Sequence, residues 1–91
     1  MKGKILTYDG LNRLLTGFGF VRGRTPDNYQ VFVHEPSDTI ILLPAAQPDD
    51  VVAALHRAAV RRMVIERGVV DEDVYDEALE SLLESGVLSG A

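Results

Sequence analysis

Between Phe18 and Leu43 the chain carries three β-type runs with almost no residues to spare between them, and this limits its topology more than any other feature. Tyr29-Gln30-Val31-Phe32-Val33-His34-Glu35 is β-branched and aromatic without a breaker, which suits a strand. Pro36-Ser37-Asp38 supplies a turn, and Thr39 to Leu43 reads as a further strand ended by Pro44. Upstream, Phe18 to Arg24 reads as a strand with Phe18 and Phe20 on one face, followed by turn residues Thr25-Pro26-Asp27-Asn28. Parallel neighbours need a crossover of a dozen or more residues, and no such length exists here. The three runs are therefore expected to form an antiparallel meander.

Strand alternation sets Tyr29, Val31 and Val33 against Gln30, Phe32 and His34, and Ile41 and Leu43 against Ile40 and Leu42. A sheet covered on one side alternates apolar with polar residues, whereas both faces of this one are largely apolar. Something is expected to cover part of the second face.

Helical periodicity flanks the meander on both sides. Leu11, Leu14 and Leu15 lie at helical spacing, with Thr7 as N-cap, Asp9 at the positive end of the dipole and Gly17 as a stop. Pro48-Asp49-Asp50 has the chemistry of a helix start, and no breaker follows until Gly68. In that helix Val52, Leu55, Ala59 and Met63 form one stripe while Ala53, Val60 and Val64 lie on another, the pattern of a helix packed against two neighbours. A last helix is expected from Asp71 to about Ser85, stopped by Gly86, with Tyr75, Ala78, Leu79, Leu82 and Leu83 as its buried stripe. The fold class is thus α+β: an α-β-β-β-α sandwich with a three-stranded antiparallel sheet and an extra C-terminal helix. One domain accommodates all 91 residues.

Composition narrows the function classes. The longest apolar runs are four or five residues, such as Ile40-Ile41-Leu42-Leu43, far below the roughly 20 of a membrane-spanning helix. With no cysteine and no apolar N-terminal stretch of signal-peptide length, a cytoplasmic location is the default expectation. The net charge of −5 is uneven, with all nine basic residues within 1–67 against seven acidic ones, and seven acidic residues and no base within 68–91. Clustered phosphate contacts would have to come from the first part.

Histidine is the residue type most able to carry chemistry near neutral pH, and there are two. His34, beside Glu35 near the end of the central strand, could act as a base on a bound substrate; a strand-edge histidine half in solvent is the plainer reading. His56, Arg57, Arg61 and Arg62 could face phosphate and bind RNA, or could simply be a solvated helix face. Arg22 and Arg24, with Lys2, Lys4 and Arg13, could extend such a basic surface, and Tyr29 and Phe32 could stack on bases. Neither histidine has a partner at a recognised metal spacing, so no metal and no cofactor is expected. Gly17, Gly19 and Gly23 lack the following helix start and the Lys-Ser or Lys-Thr of a phosphate loop.

Three local patterns carry a resemblance. Leu11-Asn12-Arg13-Leu14-Leu15 running into Gly17-Phe18-Gly19-Phe20, Tyr29-Gln30-Val31-Phe32 with His34-Glu35-Pro36, and Leu42-Leu43-Pro44 followed by Pro48 to Leu55 together resemble the HicA family of small toxins over residues 7–67. The resemblance implies a double-stranded-RNA-binding-domain-like fold, mRNA interferase activity and a toxin–antitoxin setting. It also implies a catalytic histidine at the start of the second strand, usually after Gly-Ser or Gly-Thr. Here that stretch is Pro26-Asp27-Asn28-Tyr29, with Asn28 at the histidine position. Asparagine cannot exchange a proton near neutral pH, so the family's acid/base step has no agent. His34, about six residues further along the strand, is a poor substitute. The acidic helix over residues 71–85 is an addition to the family's short members.

Three expectations follow: a HicA-like domain without nuclease activity serving as a binding or assembly module, an active RNA-cleaving toxin using His34 or His56, and a non-catalytic RNA binder using Arg57, Arg61 and Arg62. The second sheet face and the leucine stripe of the last helix suggest either a homodimer, another protein partner, or docking of that helix on its own body.

Overall fold

Thr7 opens the first helix as its residue type predicts: its hydroxyl accepts from the Gly10 N–H at 3.2 Å. In the computed structural model, which describes residues 5–23 and 29–90 with side chains through Glu84, this helix is α1, Tyr8–Gly17. It buries Tyr8, Leu11, Leu14 and Leu15. The predicted turn at 25–28, the position of Asn28, and Lys2, Lys4 and Arg24 lie outside the described residues.

The exit from α1 differs from the expected strand at Phe18. Gly19 has φ of 101°, and its N–H donates to the Thr16 carbonyl while that of Phe20 donates to Leu15. This is the Schellman arrangement, in which a left-handed residue just past the helix ties off the last carbonyls. The left-handed stop is thus Gly19 rather than Gly17. Phe18 becomes the C-cap, so β1 is reduced to Val21–Arg22.

The meander itself is as predicted, with β2 at Tyr29–His34 and β3 at Thr39–Pro44 in the order β1-β2-β3, all antiparallel. Between β2 and β3 the link is a single 3₁₀ turn, Glu35–Ser37, closed by Asp38 at φ of 56°. Register fixes the faces: Val21 pairs with Val33 and Val33 with Ile40, while Arg22 pairs with Phe32 and Phe32 with Ile41. Gln30, Phe32, Thr39, Ile41 and Leu43 point inward and are buried with the α1 leucines. The resulting α+β fold keeps one core on one side of the sheet.

The second helix begins later than Pro48. Before it, the chain runs alongside the segment leading into α1: Val52 N–H donates to Leu6 O at 2.8 Å, Tyr8 N–H to Asp50 O at 3.0 Å and Asp9 N–H to Pro48 O at 2.8 Å. The last two satisfy N–H groups that the first turn of α1 leaves without an intrahelical partner. Val52 is consequently a buried, non-helical core residue, and α2 is Ala54–Glu66. Its Val60 and Val64 are buried, whereas Leu55 is 78% exposed and Ala59 and Met63 are also open. As expected, α2 packs against two neighbours, β3 and the last helix, but the stripe of Leu55, Ala59 and Met63 is left open.

The third helix, α3, spans Glu72–Gly90 and passes through Gly86 instead of stopping there. Tyr75 and Leu83 are buried, and Ala78, Leu79 and Leu82 pack partly buried against the same core. The Tyr75 and Phe18 rings sit 5.7 Å apart. The leucine stripe of the acidic helix is therefore used on its own body, one of the expected outcomes. No described helix is long and apolar enough to cross a membrane.

Candidate interaction surface

The outward face of the sheet is built by alternation alone. One row across the strands is Val21, Val33 and Ile40; the next is Gly23, Val31 and Leu42; the last is Tyr29 and Pro44. Gly23 belongs to this face because its N–H donates to Val31 O at 2.9 Å, and a Cβ there would touch the Val31 and Val33 methyls. No charged side chain stands in these rows. Val21 is 67% exposed, Leu42 61%, Ile40 57% and Tyr29 51%. A second layer over this face was expected, and none exists among the described residues. The reason is that α1 and α3 pack on each other and join the core below the sheet.

The face is not flat. On the β3 side Ile40 and Leu42 project, whereas the β1 side borders a shallow cavity of about 450 Å³. Gly19, Val21, Arg22, Gly23, Val33, Glu35 and Pro36 line it, so a residue of each charge borders the face at this edge. The sequence already revealed the apolar character of this face. The cavity needs the pairing of Val21 with Val33, which no local signal gives.

The residues singled out for chemistry are held in other ways. The His34 ring packs 5.2 Å from that of Phe20 and against the Gly19 backbone. Its Nδ1 lies 2.7 Å from Ser37 Oγ, which is itself 2.6 Å from the hydroxyl of buried Thr39. The 3₁₀ turn thus folds Ser37 back to pin the histidine at the hairpin end.

The four basic-cluster residues do not converge as one open set. Arg61 is bound to α3: its Nε donates to Asp76 at 2.9 Å, and its Nη2 to Glu72 at 2.8 Å and to Asp76 at 3.0 Å. The two hydrogen-bonded carboxylates, Asp76 foremost, raise the Arg61 pKa, and the guanidinium holds the Asp76 carboxyl below the usual carboxylate range. Arg62 sits 4.0 Å from Glu66 on the same helix. Arg57 is partly buried, and its charge lowers the pKa of the Tyr75 hydroxyl, against the larger effect of burial. His56 has a buried Nδ1 with no hydrogen-bond partner. Further along the surface, Arg13 pairs with Asp9 at 3.2 Å. Arg22 covers Phe32, its guanidinium carbon 5.1 Å from the ring centre, and Phe32 is buried rather than available to stack on a base. Among the described residues no group of three or more histidines, aspartates or glutamates could hold a metal ion.

One polar feature had no sequence signal. The Asn12 side-chain oxygen is buried without a partner beside an open cleft of about 320 Å³ lined in part by Tyr8, Arg22, Tyr29 and Gln30. Gln30 lies at its inner wall, donating through Nε2 to Pro44 O at 2.9 Å.

No family model matches the chain, and no curated protein or solved structure matches it.

Proposed function

We propose that the chain is a non-catalytic binding or assembly module on a HicA-like scaffold, working through the outer face of its sheet. The observation that carries this reading is the uncharged apolar surface running across all three strands, with Val21, Ile40 and Leu42 each more than half exposed. Scattered exposed apolar residues are ordinary on a protein surface, whereas a contiguous patch marks an interaction site. The α-β-β-β-α order supports the resemblance, and Asn28 at the family's histidine position supports the loss of its nuclease chemistry. The engagement of His34 with Ser37 and of Arg61 with α3 also favours a protein-docking role over RNA cleavage.

The test compares Leu42→Glu with His34→Ala. In extracts of cells producing each form, the unsubstituted chain and the His34 variant should migrate in an assembly larger than the monomer, and the Leu42 variant as a monomer. Equal migration of all three overturns the docking role. Purified protein incubated with structured and single-stranded RNA checks the chemistry, and cleavage that His34→Ala abolishes overturns the non-catalytic reading.

A further inference from the structure

We propose that a second copy of this chain adds to the open edge of β3, strand to strand and antiparallel, so that the two sheets become one. The inference rests on the assembly role proposed above and names the partner and the contact, which is main-chain hydrogen bonding at the margin of the apolar face.

β3 is the last strand of the sheet, with β2 on one side and no described strand on the other. Which of its backbone groups point outward follows from a single bond. Gly23 N–H donates to Val31 O, so Val31 faces β1, and alternation turns Gln30, Phe32 and His34 toward β3. Their register partners Leu43, Ile41 and Thr39 face β2 in return. The N–H and C=O groups of Ile40 and Leu42 therefore point away from the sheet, and no other described group bonds to them. Both residues are more than half exposed. Such an edge is a template for another extended strand.

The ends of the edge select the register. Asp38, the outward residue before Ile40, already donates its N–H to Glu35 O, and its carbonyl accepts from Arg67 Nη2 at 2.7 Å. Pro44, the outward residue after Leu42, has no N–H, and its carbonyl accepts from Gln30. The open donors and acceptors are thus those of Ile40 and Leu42 alone, in symmetric order about Ile41. An antiparallel copy related by a two-fold axis beside Ile41 sets Ile40 opposite Leu42 of the other copy. Each such pair exchanges both hydrogen bonds and symmetry makes the pair twice, so every open group is satisfied. Moving the axis to Ile40 sets Leu42 against the occupied Asp38, and moving it to Leu42 sets Ile40 against the prolyl nitrogen of Pro44.

A second surface beside the same edge selects a copy of this chain over a lone peptide strand. α2 packs on β3 and on α3. Arg61 reaches α3, and Ala59 and Met63 stand two residues either side of it, about 200° round the helix. Arg67, one turn past Met63, reaches back to Asp38 at the start of β3. The open stripe of Leu55, Ala59 and Met63 thus turns away from α3, on the flank of α2 nearest the β3 edge. An added peptide strand would leave this stripe in water. A second copy brings its own α2 to it, and sets Ile40 beside Leu42 on the outer face as a cross-strand apolar pair.

The contact is small beside the roughly 800 Å² per partner of stable complexes, so association belongs to the weak class, with a dissociation constant on the order of 100 μM. Covalent capture suits such a contact, and the chain has no cysteine of its own. Ile40→Cys and Leu42→Cys are made on separate chains, one of them isotopically labelled so that mass tells the pairings apart. Opposite residues of a hydrogen-bonded pair have Cα atoms about 5.5 Å apart, within disulfide reach, whereas identical positions of the two copies lie one diagonal away at about 7–8 Å and out of reach. Mild oxidation of an equimolar mixture should give the mixed dimer at least about fivefold over either like pair. Leu42→Pro removes one outward donor, a change that an edge strand accepts. In sedimentation equilibrium it should remain a monomer at about 200 μM, where the unsubstituted full chain dimerises. Mixed and like pairs in statistical proportion, or a Leu42→Pro chain that dimerises as the unsubstituted one does, overturn the arrangement. An unsubstituted chain that stays monomeric to about 200 μM overturns the second copy as occupant. In that case, loss of the native assembly in Leu42→Glu would still leave the docking role standing with a different occupant, and an unaltered assembly would remove both.

Discussion

Raising the pH above about 10 should destabilise this protein through a single side chain, Tyr75. The ring is 1% exposed, wedged between the core and Phe18. Burial pushes its hydroxyl up to about 12, against a smaller opposing pull from Arg57 and Arg61. In the unfolded chain the same hydroxyl ionises near its ordinary value of about 10. Below that pH both states are neutral and the group has no effect. Between about 10 and 12 the unfolded state releases its proton first, so stability falls as pH rises, and the loss levels off beyond the folded value. A difference of about two pKa units gives a penalty of roughly 1.4 kcal/mol at about pH 11 and a ceiling of roughly 2.7 kcal/mol. For a chain of this size, with a urea dependence of about 1–1.5 kcal/mol per molar, the pH 11 penalty lowers the unfolding midpoint by about 1 M. The assay is urea unfolding of the unsubstituted chain and of Tyr75→Phe from about pH 8 to pH 11, the difference cancelling every other group that titrates. The absence of cysteine removes thiol oxidation as a complication. Parallel midpoints for the two chains across this range would refute the assignment of Tyr75 to a desolvated site.

The two stripes of α2 should respond oppositely to truncation. Val64→Ala, at a fully buried position, should cost about 2–3 kcal/mol in unfolding free energy, while Leu55→Ala should stay within about 0.5 kcal/mol. Gly19→Ala forces a side chain into the left-handed region and sets its Cβ 3.3 Å from His34 Cδ2. It should lower stability by about 1–2 kcal/mol and shift the His34 ring resonances, both readable by urea unfolding and NMR. Arg61→Ala should speed amide exchange along α3. Its effect on the unfolding midpoint should be present at neutral pH and vanish in strong acid, because the depressed Asp76 carboxyl stabilises the fold above its ordinary pKa and stops doing so as pH falls through the lowered value.

What the sequence made legible were features decided within a few residues. Thr7, Asp9 and the leucine spacing placed α1, the short links placed the meander, and the Tyr75-to-Leu83 stripe placed the buried side of α3. What it hid was decided by distant partners. Pro48-Asp49-Asp50 has sound helix-start chemistry, yet the Pro48 and Asp50 carbonyls accept from α1, and a helix starting there would give those bonds up. The same holds for the candidate sites. Arg61 looks free on its own helix, and only the approach of Asp76 from α3 shows it engaged. The apolar character of both sheet faces was visible in the residues, but which face stayed open depended on where three helices packed.

That packing also separates the charge from the apolar face, with a consequence that distinguishes self-association from RNA binding. The seven acidic residues within 68–91 belong largely to α3, which joins the core on the other side of the sheet from Ile40 and Leu42. A net charge of −5 on each copy opposes the approach of two chains at low salt. Added salt shortens the screening distance from about 30 Å at 0.01 M to about 8 Å at 0.15 M. Self-association through the uncharged face should therefore tighten modestly as salt rises over that range. Phosphate contacts from Arg57 and Arg62 behave in the opposite way, because counterion release makes RNA affinity fall steeply with salt. Sedimentation of the protein alone and titration with a fluorescent single-stranded RNA, each at both salt concentrations, measure the two slopes. Self-association that weakens sharply with salt would mean that ion pairs rather than the apolar rows hold the copies together, and the docking role of the outer sheet face would lose its support.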